Sequence, residues 1–389
     1  MINRFYFKFD LSNIFKKNNL FKIITSYYNS SNFLFYSLGR SCLYHVLKKE
    51  ITGRKNEVIL SPVTLPVIIK IIKLSGAKIK YIDIDILTGL PELNELKKKI
   101  NSKTAIILIT HLYSNKKTLN KISNIIKKYK EIKIIEDLAI NFGVKFSNKQ
   151  ITNLNSNYSF FSFNYMKNFH TILGGALYVK FKKDFDYLKI RNNKLKKLNN
   201  IILLKSFIKF TIINILFNNF FYKYMSSFFI KKIELNKSNS LKKVIYPGFY
   251  NKKITENHLN CKFNDLGNFF FPKEKSYIKR DVKLRIKKSN IYFNHLNKNT
   301  NLILFNPKNI ESINLEFLII VKKDFKKLYA YLLDKKIYLR RHWYKNNNTK
   351  MKHSNYLSDN ALLLPTHYKI TKTDILYVSN VINSFYDKL

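Results

Sequence analysis

Short apolar runs alternate with helix-like segments between about residue 33 and residue 180. The apolar runs occupy residues 58–60, 80–82, 105–109 and 132–135, and the helix-like segments include residues 66–74 and 119–129. Nearly continuous apolar strands separated by helices predict a parallel sheet that helices cover on both faces. Ligands of such sheets bind at the carboxyl ends of the strands, where Asp137 is expected to lie.

The pattern changes after residue 200. Residues 201–233 are rich in Ile, Leu and Phe but include Lys205 and Lys209. A membrane-spanning helix needs about 20 apolar residues with few charges, and this stretch is too polar for that. Two interpretations stay open: a helix lying at a membrane surface, or a helix packed on the protein or at a dimer interface.

The C-terminal part again shows strand and helix patterns. Residues 316–321 and 336–339 are predicted strands, residues 323–333 and 374–386 are predicted helices, and residues 236–243 are a predicted loop. The predicted division is an N-terminal arm (1–32), a large domain (33–200), a helical insert (201–245), and a remainder (246–389) with one more helix and a small C-terminal α+β domain.

The chain of 389 residues has a net charge of +47. Lysine supplies most of it, and only eight residues are arginine. Proteins that read bases or clamp phosphates favour arginine forks, and the lysines are spread along the chain. A biased base composition explains them more simply, so no specific nucleic-acid partner is predicted. The charge still favours anionic ligands and membranes at low salt.

Cysteine usage indicates the compartment. Cys42 and Cys261 cannot form a disulfide framework, which favours a reducing, cytoplasmic location. No cluster of Cys and His has zinc-like spacing, so no metal site is predicted.

The most informative local sequence surrounds Lys167. This lysine follows the aromatic run at residues 161–163, has Ser162 five residues upstream, and precedes the paired glycines at residues 174–175. Asp137 ends an apolar run thirty residues earlier. A lysine, an acid at a strand end and a small hydroxyl group are the parts needed to hold pyridoxal phosphate (PLP). The lysine amine forms an imine with the aldehyde of this cofactor, and the acid pairs with its ring nitrogen.

Several sequence blocks occur in an order that supports this interpretation. They are Leu-Gly-Arg-Ser-Cys-Leu (38–43), His-Leu-Tyr (111–113), Ile-Glu-Asp-Leu-Ala (135–139), Phe-Ser-Phe-x-x-x-Lys (161–167) and Leu-Pro-Thr-His (364–367). Together they resemble the DegT/DnrJ/EryC1/StrS family of PLP-dependent sugar aminotransferases. The resemblance covers about residues 33–179 and, more weakly, residues 260–382.

The resemblance implies an α/β protein of PLP transferase fold type I. Its large domain would have a mostly parallel seven-stranded sheet between helices, and a small α+β domain would follow. The implied catalytic residues are Lys167 and Asp137. The implied cofactor-binding residues are Lys167, Asp137, Ser162, Ser41, Cys42, Ala139 and Asn260. Asn260 would reach the neighbouring subunit's phosphate, so a homodimer with shared active sites is implied.

The implied activity is transfer of an amino group, with glutamate as donor, to a keto-sugar linked to a nucleotide. Such reactions supply precursors of polysaccharides, including lipopolysaccharide O-antigens. The expected location is cytoplasmic, with residues 201–233 as a peripheral contact to the inner membrane face.

The chain departs from the family pattern at the cofactor ring. Val63 and Leu65 stand where an aromatic residue usually stacks, and Ile140 replaces a polar residue near the ring hydroxyl. Two alternatives follow. One is a sugar dehydratase, although those relatives typically replace the lysine with histidine. The other is a membrane-associated binding or scaffold protein that has lost efficient catalysis.

Overall fold

The computed structural model describes residues 19–144, 151, 154–235, 256–309, 316–341 and 351–388. Its larger sheet has nine strands in the order β3-β2-β4-β5-β6-β7-β1-β9-β8. The strands are β1 (Phe33–Tyr36), β2 (Glu57–Leu60), β3 (Lys78–Tyr81), β4 (Thr104–Thr110), β5 (Lys133–Asp137), β6 (Tyr158–Ser162), β7 (Gly175–Val179), β8 (Lys196–Lys197) and β9 (Cys261–Lys262).

Seven strands of at least four residues form the body of this sheet, as predicted. Strands β3, β2, β4, β5 and β6 pair in parallel, and β7 is antiparallel to both β6 and β1. The two-residue strands β8 and β9 extend the β1 edge. The parallel part places the carboxyl ends of β2, β4, β5 and β6 along one edge.

Six helices accompany the first seven strands. They are α1 (Leu20–Tyr28), α2 (Gly39–Glu50), α3 (Pro66–Leu74), α4 (Leu93–Lys99), α5 (Lys116–Ile126) and α6 (Lys182–Asn193). Helix α3 begins with proline, whose missing N–H costs nothing at a first helical position. Helix α5 begins after Asn115, whose side chain accepts the Thr118 amide.

Alternate strand residues enter different cores, because successive side chains point to opposite sheet faces. In β4, Ile106 and Leu108 pack with α2 and α3, whereas Ile107 and Ile109 pack with α5. Both faces of the parallel sheet are therefore buried, as the continuous apolar runs predicted.

The smaller sheet is antiparallel, with the order β10-β11-β13-β12. Its strands are β10 (Leu302–Leu304), β11 (Glu316–Val321), β12 (Arg340–Arg341) and β13 (Ala361–Pro365). The predicted strand at residues 336–339 is wrong. Lys336 has a φ of 55°, which belongs to a left-handed turn rather than a strand, so β12 begins only at Arg340.

The predicted insert is helical over residues 200–235. It contains α7 (Asn200–Leu216), α8 (Asn219–Phe221), a π-helical turn (Tyr222–Ser226) and α9 (Ser227–Leu235). Helix α10 (Glu256–Leu259) follows, and the predicted loop at residues 236–243 lies outside the described residues. In the described part of the chain, no helix has the length and apolar character needed to span a bilayer.

Four helices complete the smaller domain and its connection: α11 (Lys275–Leu296), α12 (Phe325–Asp334), α13 (Lys352–Asn360) and α14 (Lys372–Tyr386). The predicted helices at residues 323–333 and 374–386 correspond to α12 and α14. The small domain covers the carboxyl edge of the large sheet, where the rings of Tyr113 and Phe305 lie 4.1 Å apart. Asp83 of the large domain accepts the backbone amides of His353 and Ser354 and so caps α13, which fixes the two domains together.

Candidate active site

Asp137 is the last residue of β5, between Thr110 of β4 and Phe160 of β6. Its side chain is buried, and Oδ1 accepts the backbone amide of Ala139 at 3.0 Å. This acid therefore lies at the carboxyl edge of the sheet, where the sequence placed it.

Lys167 lies in a tight loop between β6 and β7. The loop begins with a ladder-like bond from the Phe163 amide to the Gly174 carbonyl at 2.8 Å, followed by one from Tyr165 to Ile172 at 3.0 Å. The Lys167 amide closes a turn on the Asn164 carbonyl at 2.9 Å. Residues 163–174, which we call the lysine loop, are therefore held together by hydrogen bonds within the loop.

Ile172 gives this loop a strained position. Its φ is 63° although it is β-branched and fully buried, a combination that costs on the order of 1–3 kcal/mol. Its side chain packs in the core shared by the small domain and α7. The surrounding packing therefore holds the lysine loop in a conformation that its own sequence disfavours.

Charge couples Asp137 and Lys167. Burial and the nearby charge of Arg340 together lower the pKa of Lys167 to about 8, although Asp137 and Glu316 oppose that shift. Burial raises the pKa of Asp137 to about 6, while the Ala139 amide and Lys167 favour its ionised form. Near pH 7 the acid is therefore mostly ionised, and the amine loses its proton far more easily than an ordinary lysine.

Glu316 and Arg340 belong to the smaller sheet and were missed by the sequence analysis. Arg340 Nη2 and Glu316 Oε2 lie 2.5 Å apart, and both side chains are largely buried. Arginine is scarce in this chain, so the Arg340–Arg341 pair was an available signal. However, nothing local connects it to a lysine more than 170 residues away.

The N-terminus of α2 lies against Ser162. A Cβ atom on Gly39 would lie 2.9 Å from Ser162 Cβ, and one on Gly175 would lie 2.4 Å from the Gly39 nitrogen. Only glycine permits this approach of backbone to backbone. The helix has no side-chain cap at Leu38, and free amides at a helix N-terminus favour an anion.

Ser41 and Cys42 occupy the first turn of α2 but their side chains face inward. Both are fully buried, and Ser41 Oγ lies 3.3 Å from Ser37 Oγ. The Cys42 thiol lies in the apolar core between α2 and the sheet, where burial raises its pKa. The Ser41 and Cys42 amides donate to the Leu38 carbonyl at 3.0 Å and 3.4 Å, so neither the side chains nor the amides of these two residues are directed at an anion, in contrast to the prediction.

The other sequence-identified residues lie around this edge. Val63 and Ile140 belong to the apolar cluster under the small domain. Asn260 lies between α10 and β9, beside Cys261, whose carbonyl accepts the Ser37 amide at 3.0 Å. Asn260 therefore neighbours the segment that leads into α2 of its own chain.

A buried polar layer supports the Asp137 strand on its other face. His111 Nδ1 lies 3.1 Å from Ser114 Oγ, and burial lowers the pKa of His111 to about 3. Glu136 accepts the Leu154 amide at 2.6 Å, and its carboxylate lies 3.8 Å from His111 Nε2. The neutral His111 and the hydrogen-bonded Glu136 therefore hold the end of β5 in place on the other face of the sheet.

These features fit PLP in three respects. The lysine amine has a lowered pKa, and a buried acid lies in its electrostatic field. Gly39 and Gly175 let the N-terminus of α2 pack directly beside Ser162, which brings the helix end and a hydroxyl group together. The fit rests on the residues themselves and on their electrostatics.

The comparison with protein families agrees with this geometry. Residues 19–190 match the model of the DegT/DnrJ/EryC1/StrS aminotransferase family. Residues 19–190, a little less than half of the chain, are therefore similar to that family. The match runs from α1 into α6 and includes both Asp137 and Lys167.

Individual family members are distant. A dTDP-4-amino-4,6-dideoxy-D-glucose transaminase of Shigella dysenteriae is 30% identical over 140 residues. That alignment spans 35% of this chain and only 38% of the relative's length.

Solved structures extend the similarity of fold to nearly the whole chain. PseC of Helicobacter pylori, an aminotransferase of pseudoaminic acid biosynthesis, matches with a TM-score of 0.71 at 15% identity, covering 96% of this chain and 92% of PseC. An E. coli GDP-4-keto-6-deoxy-D-mannose-3-dehydratase, solved with hydrated PLP, matches with a TM-score of 0.68 at 19% identity over 92% and 90% of the two chains. The fold-type-I architecture is thus confirmed, including the small domain that the family model does not cover.

Proposed function

We propose that this chain is a PLP-dependent aminotransferase of the DegT/DnrJ/EryC1/StrS family. One observation carries the proposal: a lysine amine with a lowered pKa is electrostatically coupled to a buried acid at the carboxyl edge of a parallel sheet. Coupled groups whose environments shift their pKa values in this way mark functional sites.

The residues would have distinct roles. PLP, when bound, supplies an electron sink for bond breaking at the donor's α-carbon. Asp137 would hold a negative charge at the ring nitrogen, and Lys167 Nζ would attach the cofactor and then carry a proton. Ser162 and the first amides of α2 would bind the phosphate. Ala139 would position the Asp137 carboxylate through its amide.

We infer a nucleotide-linked keto-sugar as acceptor and glutamate as donor. Support comes from the family and from the Shigella relative, whose name describes a dTDP-sugar transaminase. The dehydratase alternative is less favoured, because the resemblance assigns histidine to such enzymes at the position of Lys167. A panel of dTDP- and GDP-linked keto-sugars with glutamate would identify the acceptor, and deoxygenated rather than aminated products would support the dehydratase.

Cofactor attachment can be tested without a substrate. The protein would be incubated with PLP, reduced with borohydride and digested, and the modified peptide located by mass spectrometry. We expect modification of Lys167 above all other lysines, and its loss in Lys167→Ala. Lys180→Ala is a suitable control, since that lysine lies outside the lysine loop. Equal modification of many lysines would contradict the proposal.

The proposal includes a homodimer in which Asn260 serves the neighbouring subunit's site. Lys167→Ala and Asn260→Ala would each be nearly inactive alone. After random mixing, about half of the dimers are hybrids with one intact site of two, so about one quarter of wild-type activity is expected. No recovery would mean that Asn260 does not act across the interface.

We further propose that residues 201–233 contact an anionic membrane surface. Inward residues of this segment, including Phe210 and Phe217, join the small-domain core. The outward residues form the outer apolar face: Ile201, Leu204, Ile208, Ile212, Phe220, Tyr224, Phe228 and Phe229, each 50–68% exposed.

The charge of this segment indicates which partner binds the outer apolar face. Its five lysines (205, 209, 223, 231 and 232) are accompanied by no Asp or Glu between residues 200 and 233. Exposed aromatic and aliphatic side chains combined with uniform positive charge are typical of helices that lie on anionic bilayers. A contact between copies of this chain would gain nothing from like charges that face each other.

Flotation with vesicles tests this contact. We expect binding to vesicles containing phosphatidylserine, weakened by salt, and loss of binding in Phe220→Ser/Phe228→Ser. Leu87→Ser/Ile190→Ser is the matched control, because these two residues are about as exposed (62% and 60%) but lie elsewhere. If the first variant instead abolishes a concentration-dependent oligomer and vesicles are never bound, the face is an interface between copies.

A further inference from the structure

Helix α11 carries four polar residues along one face. Asp281, Arg285, Lys288 and Tyr292 are spaced by four, three and four residues, which places them in one row on a helix. Arg285, Lys288 and Tyr292 are buried. Buried polar groups persist where they are satisfied by specific partners, so the contacts of this row indicate what it holds.

Three members of the row bind the end of β13 or the residues that follow it. Arg285 Nη1 donates to Thr366 Oγ1 at 3.3 Å, and Lys288 Nζ donates to the His367 carbonyl at 2.6 Å. Tyr292 Oη donates to the Pro365 carbonyl at 3.2 Å. Helix α11 is thereby fixed to the end of the central strand of the small sheet.

The remaining member of the row holds the lysine loop. Asp281 Oδ2 accepts from Arg285 Nε at 2.7 Å and from Asn168 Nδ2 at 3.3 Å. Asn168 directly follows Lys167, and its amide group also donates to the Phe142 carbonyl at 3.4 Å. The Asp281 carboxylate therefore joins the row on α11 to the residue next to the lysine.

The same helix also touches the loop that follows Asp137. A Cβ atom on Gly143 would lie 2.8 Å from Ile278 Cγ2 and 3.1 Å from Val282 Cγ2. Gly143 has a φ of 94°, which L side chains rarely adopt. The Ile278 and Val282 side chains of the helix therefore pack directly against the backbone of Gly143 in this loop.

The small sheet, to which α11 is bound, contains the two charged residues that influence Lys167. Strand β13 pairs with β12 at Arg340 and with β11 at Glu316, the two residues of the small sheet that act electrostatically on the lysine. An unbroken set of contacts thus runs from the lysine loop through α11 to the strands that present these charges.

We propose that Asp281, supported by Arg285, is a positioning residue that fixes the lysine loop relative to the small-domain sheet through Asn168. Its consequence for activity rests on the proposed function, but its consequence for the environment of Lys167 does not. Without the Asp281–Asn168 bond, the loop and the sheet can move apart, and Lys167 becomes more hydrated and less influenced by Arg340.

Labelling of Lys167 in cofactor-free protein tests the proposal directly. The pH dependence of modification by trinitrobenzenesulfonate would be followed by mass spectrometry of the peptide that contains Lys167. We expect Asn168→Ala and Asp281→Ala to move the labelling midpoint toward that of an ordinary lysine. The double variant should shift no further than the larger single shift, because both changes break one connection.

Two further variants separate positioning from general damage. Lys287→Ala removes an exposed charge from the same helix and should leave the midpoint unchanged. The exchange Asn168→Asp/Asp281→Asn restores a carboxylate–amide pair and should bring the midpoint back toward wild type, whereas Asn168→Asp alone places two carboxylates together.

Turnover provides the second readout. Asn168→Ala should lower kcat about tenfold or more, because small displacements of a reacting group are costly, with little change in KM for the sugar. Reduced thermal stability without any shift in labelling or kcat would overturn the proposal. If wild-type protein fails to attach PLP, the proposed function fails, while the labelling experiment still decides the positioning role.

Discussion

The lysine loop and the helical segment at residues 200–235 share one apolar core but present opposite surfaces. The Lys167 amine of the loop and the buried Asp137 carboxylate at the end of β5 influence each other electrostatically, and the Ala139 amide donates to that carboxylate. In the helical segment, large apolar side chains point outward, and the only formal charges up to residue 233 are positive. Buried charge at a sheet edge indicates chemistry, whereas exposed apolar surface with uniform charge indicates docking.

The largest expected effect concerns two phenylalanines of the helical segment, one buried and one exposed. Phe210 is 1% exposed and Phe228 is 68% exposed. We expect Phe210→Ala to lower the free energy of unfolding by about 3–5 kcal/mol and Phe228→Ala to change it by less than about 0.5 kcal/mol. Urea unfolding measures both. A large loss for Phe228→Ala would mean that the outer apolar face is part of the core.

Asp137→Asn tests the chemical side of the comparison. The asparagine side chain keeps the shape of aspartate, and its oxygen can still accept a hydrogen bond from the Ala139 backbone N–H. It lacks the negative charge. We expect kcat/KM to fall on the order of 10²- to 10³-fold, with the protein still folded. In cofactor-free protein the pKa of Lys167 should fall further, because Asp137 now raises it. Unchanged turnover would exclude the proposed role of the acid.

The stability of cofactor-free protein should depend on pH through the same two groups. The folded-state pKa of Asp137 is raised to about 6, so the folded state retains a proton that the unfolded chain has lost, and stability falls as the pH rises from about 4 to 6. The folded-state pKa of Lys167 is lowered to about 8, so stability recovers as the pH rises above 8. Each change is at most of the order of 3 kcal/mol.

The double variant Asp137→Asn/Lys167→Met is the control for that profile. Its stability, measured by urea unfolding across the same pH range, should lack both changes. A double variant with the wild-type profile would assign the pH dependence to other groups.

Gly175→Ala tests the close contact between the N-terminus of α2 and the sheet. A Cβ atom there would lie 2.4 Å from the Gly39 nitrogen, so we expect a loss of about 1–3 kcal/mol and weaker PLP binding in a fluorescence titration. Gly53→Ala is the control: nothing lies within 4 Å of its Cβ position, so only its backbone conformation costs free energy and PLP affinity should be preserved.

The smallest expected effect concerns the exposed ion pair between Lys231 of α9 and Asp334 of α12. Lys231→Ala should change the free energy of unfolding by less than about 1 kcal/mol. The same variant should weaken binding to anionic vesicles by about 1 kcal/mol. An effect on folding larger than that on vesicle binding would reverse the role we assign to this lysine.

The sequence predicted local features well. Strand β11 and helix α3 have the predicted bounds, because their apolar patterns end at polar residues or proline. Asp137 and Lys167 were found because each lies in a short recognisable run of residues. The error at residues 336–339 has a local cause: β-like composition could not reveal the left-handed backbone of Lys336.

Contacts between residues far apart in the chain could not be predicted from the sequence. Glu316 and Arg340 reach the site only because the small sheet folds over the large one, and no spacing encodes that contact. Asp281 is one acid on a basic helix, and its link to Asn168 spans 113 residues. Nor could the pattern show that the Cys42 thiol turns into the core, because this depends on how α2 packs against the sheet.

The ring of Phe210 lies 5.1 Å from that of His170 and 6.0 Å from that of Tyr165, both in the lysine loop. One side chain on α7 is therefore shared by the two regions compared above. If a bilayer under the outer apolar face repacks Phe210, thermodynamic reciprocity requires that a ligand held at Lys167 alter the affinity for the bilayer by the same factor. A membrane would then act as an effector of this protein, and its substrate would act as a regulator of where the protein resides.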